Sequence, residues 1–138
     1  MRVVLDANIL ISGIAFSAGL QSRIIDRRGA GAFDLLASRQ LVDEVTRALV
    51  RSEFARRTED GYRAKISVVL DGVEWIAVDE VKAGLATHPE DDVIVATAVL
   101  GDADVLVTGD KQLLKLGRVE GVRIVDSRTF LEMLDDED

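Results

Sequence analysis

The chain has no cysteine, so it can form neither a disulfide nor a thiolate metal site. One histidine, His88, is too few for a histidine-rich zinc site. Any metal bound by this protein must take mainly oxygen ligands, which favours Mg²⁺ or Mn²⁺ over Zn²⁺. There is a single proline, Pro89, and no stretch approaches the roughly 18 apolar residues of a membrane span. Asp6 ends the first apolar run after three residues, too early for a signal peptide, so a cytoplasmic location without membrane attachment is the expectation.

What is present is ordinary for a globular domain: 138 residues, 48% hydrophobic and 30% charged, a size that predicts one domain spanning 1–138. The formal charge of −8 argues against simple phosphate-backbone binding. The charge is uneven, however. Residues 22–65 hold ten basic and seven acidic side chains and carry +3, leaving −11 elsewhere. That segment reads either as a solvated helix surface or as a patch facing nucleic acid.

The hydrophobic pattern alternates short β-branched runs with helical stripes. Strands are predicted over 2–5, 33–37, 74–78, 104–108 and 122–125. Helices are predicted over 8–14, 20–28, the stretch after Ser38 with its Leu41, Val45, Ala48 and Leu49 stripe, 62–70, 90–100, a turn at 111–116, and a last helix capped by Ser127. Gly61 is expected to break the helical stretch before Tyr62, Pro89 to open a helix, and the acidic tail 135–138 to fray into disorder. Strand–helix alternation of this kind predicts a three-layer α/β/α sandwich around a mainly parallel sheet of about five strands.

In such a sheet the carboxyl ends of the strands share one edge, where ligands bind. Asp6 follows the first strand and Asp110 the fourth, and they meet if those strands are neighbours. Two further acids come from helices. Glu44 lies about 60° from Leu41 around its helix, at the margin of the buried stripe, while Asp43 points about 160° away. Asp91 shares a helical face with Ile94, Val95 and Ala98, and Asp92 is turned aside. Each acid alone also fits a cap, a turn or a surface position.

Together, the four acids demand a counter-charge. Two unit charges about 5 Å apart repel by roughly 3 kcal/mol at an effective dielectric of 20, so six such pairs reach on the order of 10 to 20 kcal/mol. Some must stay protonated or a divalent cation must neutralise them. Hard oxygen ligands suggest metal-assisted phosphoryl chemistry. Asn8, Ser12, Thr108 and Asp92 are candidates to steady the ligands or the substrate.

The stretch from Val4 through Asp6 to Ile11 resembles the opening strand and first acid of the PIN domain family of ribonucleases. Ser38 to Glu44 is similar to that family's second-acid helix, and Pro89-Glu90-Asp91-Asp92 leading to Ala98 to its third. Asp104 to Leu114, with Thr108-Gly109-Asp110, resembles its last motif. The ending from Arg123 to Leu131 is similar to that of the VapC-like toxin branch. The resemblance implies a single-domain endoribonuclease dependent on Mg²⁺ or Mn²⁺, with Asp6, Glu44, Asp91 and Asp110 as catalytic metal ligands. It also implies RNA as substrate, a homodimer and inhibition by an antitoxin protein. Glu90 stands where this branch often has Asp, and Asp126 where it often has Pro.

Other α/β modules group acids at strand tips. A receiver-like domain wants paired acids directly after its first strand, and here Asp6 stands alone. A dehalogenase-like domain wants an acid two residues after Asp6, and Asn8 cannot act as a carboxylic acid there. A binding protein that keeps the fold without catalysis has no need of all four acids.

Overall fold

Arg2–Leu5 form β1, and Val3, Val4 and Leu5 are fully buried. A strand buried on both sides needs helices over both faces, and the chain supplies them. The structure is a computed structural model that describes residues 1–51, 59–79 and 89–137; the side chains of 59–62 and 89–92 lie outside that description. In chain order, β1 is followed by α1 (Ala7–Ala15), α2 (Leu20–Gly29), β2 (Asp34–Ala37), α3 (Arg39–Arg51), α4 (Glu59–Leu70) and β3 (Glu74–Trp75). Then come α5 (Pro89–Leu100), β4 (Val105–Val107), α6 (Lys111–Leu116), β5 (Arg118–Val119), β6 (Val122–Val125) and α7 (Ser127–Asp136).

The sheet has six strands in the order β3-β2-β1-β4-β6-β5. Every neighbouring pair is parallel except β5 with β6. The fold is therefore α/β with a mostly parallel sheet, as the alternation predicts. On one side, α5 packs against β1, β2 and β4. Elsewhere α1 packs on α2 and α3, and α2 meets α7. Phe130 of α7 is fully buried and meets Phe33 edge-on, with ring centroids 5.1 Å apart. Such a pair contributes about 0.5–1.5 kcal/mol beyond its buried area.

Several expectations need correction. Gly61 does not interrupt a helix but lies inside α4. A mid-helix glycine costs only about 1 kcal/mol relative to alanine, less than the docking of Val69, 1% exposed, returns. The cap of α7 is Asp126, whose carboxylate accepts from Thr129 N at 2.8 Å; Ser127 is the first helical residue. Asp135 and Asp136 belong to α7, and Asp135 pairs with Arg27 at 2.5 Å. The third strand is two residues long rather than five, and a sixth strand, β5, joins the sheet. Residues 52–58 and most of the connection expected over 79–89 lie outside the described residues.

The topology locates the functional edge. From β1 the chain moves outward to β2 and β3, then returns to place β4 on the other side of β1. The strand order thus reverses between β1 and β4, and the crevice outside their carboxyl ends is the expected ligand site.

Candidate active site

Leu5 of β1 is in register with Val107 of β4, so the residues that follow these two strands are neighbours. Asp6 N donates to Val107 O at 2.9 Å, extending the ladder by one step and fixing the Asp6 backbone. Asp6 is also the N-cap of α1. The residue is 9% exposed, and both carboxylate oxygens are held: Oδ1 accepts from Ala7 N at 2.7 Å and Oδ2 from Thr108 Oγ1 at 2.7 Å.

Thr108 is fully buried and ties the two acids together. Its hydroxyl donates to Asp6 and accepts from Asp110 N at 3.0 Å. Asp110 caps α6, with Oδ1 accepting from Gln112 N at 2.8 Å and Leu113 N at 3.3 Å. Among the described residues nothing bonds Asp110 Oδ2. Burial pushes the Asp6 carboxyl above the usual range, and the nearby charge of Asp110 pushes the same way. The hydrogen bonds from Thr108 and Ala7 oppose that rise without cancelling it. Asp6, Thr108 and Asp110 thus form one connected unit at the crevice.

The helical acids stand differently. Glu44 is exposed, and so is Asp43, so exposure does not separate them. Ser38, fully buried, starts α3 from the same sheet edge by accepting from Leu41 N at 3.3 Å. Glu44 lies about 9 Å farther along that axis. For α5, Gly101 O just past its end accepts from Arg2 Nη2 at the start of β1, so the helix runs antiparallel to β1. Its first turn, which includes Glu90, Asp91 and Asp92, is therefore the end nearer Asp6, and those three side chains lie outside the described residues. Asn8 is exposed in the first turn of α1, and Ser12 is half-buried one turn on.

Among the described residues, no three acids converge as a metal-binding group. The residues that do come together suit a hard cation nonetheless. Asp6 and Asp110 offer only oxygen donors, and a cation beside Asp6 would offset the burial that raises its carboxyl. Sequence reading missed one contact at this edge: Gln21 Nε2 donates to the buried Ser127 Oγ at 3.4 Å. The partners are 106 residues apart, and no local pattern signals the pairing.

The fold and this site define a class: an open α/β domain with a carboxylate pair at its topological switch point. The chain belongs to the PIN domain family, whose model matches residues 2–112. PIN domains are typically metal-dependent nucleases. The fold is similar to that of a chain in the crystal structure of VapBC2 from Rickettsia felis bound to a DNA fragment from their promoter. The match has a TM-score of 0.60 and 17% identity, and covers 91% of this chain and 98% of that one. No curated protein is similar to the chain at a significant level. Among the described residues no single helix is long and apolar enough to cross a membrane.

Proposed function

We infer that the protein is an endoribonuclease dependent on Mg²⁺ or Mn²⁺, with Asp6 as its central ligand. The observation that carries this reading is the buried Asp6 carboxylate, held by Thr108 beside Asp110 at the switch point of a PIN-family chain. Asp6, Asp110, Asp91 and Glu44 are the residues assigned to hold the cation. A divalent cation held there would supply a Lewis acid and would make water available as nucleophile at neutral pH. The chain's own contribution is positional. Thr108 links the Asp6 carboxylate to the Asp110 backbone amide, and the α6 amides hold one Asp110 oxygen. Burial keeps bulk water from weakening the charges.

Asp6→Asn should abolish Mn²⁺-dependent cleavage of mixed RNA while circular dichroism shows the fold retained. Undiminished cleavage would refute the site. Asp43→Asn should be nearly silent and Glu44→Gln should lose most activity; equal losses would overturn the choice between these two neighbours.

The toxin role is the finer part of the reading, supported by the likeness to a chain of VapBC2. On it, the protein acts as a homodimer held inactive by an antitoxin protein. Expression of the wild-type chain should then arrest growth, and expression of Asp6→Asn should not. Active enzyme without growth arrest would instead favour an RNA-processing nuclease.

A further inference from the structure

Resting on the nuclease reading, we propose that the outer edge formed by α6, β5 and β6 is the surface that holds the RNA backbone. The contacts are Lys111, Lys115, Arg118 and Arg123.

The first observation is placement. Outside residues 22–65 the chain has seven Lys and Arg, and four of them fall within 111–123, against the single acid Glu120. This segment begins directly after Asp110. Lys111 and Lys115 are exposed and one helical turn apart on α6, about 6 Å along its axis, on the side away from buried Leu113. At the other end, Val125 O accepts from Thr108 N at 3.0 Å, so β6 ends beside the site. Arg123 stands two residues earlier, about 7 Å along the strand.

The second observation is an arrangement that folding alone does not favour. Gly117 (φ 68°) turns the chain out of α6 into β5. Glu120 (φ 46°) and Gly121 (φ 87°) then form the two-residue turn of a tight hairpin. The register sets Arg118 directly opposite Arg123, so both side chains leave the same face. Like charges in that relation destabilise a sheet. Asp104 and Glu137 line the same cleft of about 530 Å³ as the two arginines. Among the described residues, however, the ion pairs are Arg2–Glu74 and Arg27–Asp135, and none involves the four cations. Two exposed guanidinium groups facing one another suit a polyanion whose phosphates take both.

The third observation is a contrast. The +3 segment of the sequence looks like the better patch, but four of its described cations are engaged within the fold. Arg27 holds Asp135 at 2.5 Å, and Arg28 donates to the carbonyls of Val69, Phe33 and Asp71. Arg39 lies over the Trp75 ring at 5.2 Å, and Lys65 Nζ donates to Ile14 O at 3.4 Å.

The test is binding of a fluorescein-labelled mixed-sequence single-stranded RNA 12-mer to the full chain in EDTA, read by anisotropy across 50–200 mM KCl. Arg118→Glu turns the like-charge pair into an opposite-charge pair and removes both cations from the track. Affinity should fall about tenfold at the low end of salt, and the slope of log K against log salt should drop by about 1.4. The thermal midpoint should rise by about 2 °C, because the cross-strand pair now attracts. Lys111→Gln with Lys115→Gln should weaken binding in the same sense, and Arg47→Gln should leave it unchanged. Unchanged RNA affinity in Arg118→Glu, an equal loss in Arg47→Gln, or equal competition by polyglutamate would overturn the proposal. Failure of the nuclease reading shows separately, as absence of cleavage when Mn²⁺ is added to the wild-type chain.

Discussion

Asp6 is a carboxylate in a place that disfavours its charge. Burial is the main cause, Asp110 adds to it, and Thr108 with Ala7 works against it. The folded chain therefore keeps this proton to higher pH than the unfolded chain, where an aspartate titrates near 3.9. The neutral carboxyl's stability is fully present below that value and is lost as pH rises through the folded pKa. Thermal melts in EDTA from pH 4 to 8 should show wild type losing more stability than Asp6→Asn; parallel curves would contradict the assignment. Thr108→Val removes a donor that favours the charge, so its loss should extend to higher pH. Asp6, Thr108 and Asp110 were legible in the sequence because each interrupts or follows a run of buried β-branched residues. The Gln21–Ser127 contact was not legible, since only the tertiary fold brings those residues together. The separation of Glu44 from Asp43 is a matter of helical angle, and the two share the same exposure.

Among elements, the junction of α1 and α2 is sterically tight. A Cβ on Gly13 would stand 2.4 Å from Ile25 Cγ1 and 2.7 Å from Gln21 O. The second of these atoms is backbone and cannot rotate away. Gly13→Ala should destabilise by about 1–3 kcal/mol, measured by urea denaturation, despite alanine's better helix propensity. A neutral or stabilising result would show that α1 and α2 can separate without cost. Long elements with a strong stripe, such as α3 with Leu41, Val45 and Leu49 buried, were readable from sequence. The two-residue β5 was not, because Arg118-Val119 carries no period; the signal was the Glu120-Gly121 turn ahead of a β-branched run. Gly61 misled for the opposite reason: local propensity there yields to packing farther along α4.

At the scale of the whole molecule, strand order decides what the site can be, and order was the part the sequence left conditional. Alternation predicted parallel strands, and the register of Leu5 with Val107 makes Asp6 and Asp110 neighbours. If those acids hold a cation, binding must stabilise the whole fold by linkage. At a cation concentration of about one hundred times Kd the gain is about 2.7 kcal/mol. The wild-type midpoint should then rise by at least about 5 °C with Mn²⁺ at constant ionic strength, while Asp6→Asn should not move. A shift of equal size in both would assign it to cations bound elsewhere. The two outermost strands, β3 and β5, add a consequence for assembly. Each is two residues long and carries a charged side chain, Glu74 or Arg118. Strands so short give an incoming chain almost nothing to pair with, which discourages fibril growth by strand addition. Two copies that associate therefore gain little from pairing these described edges.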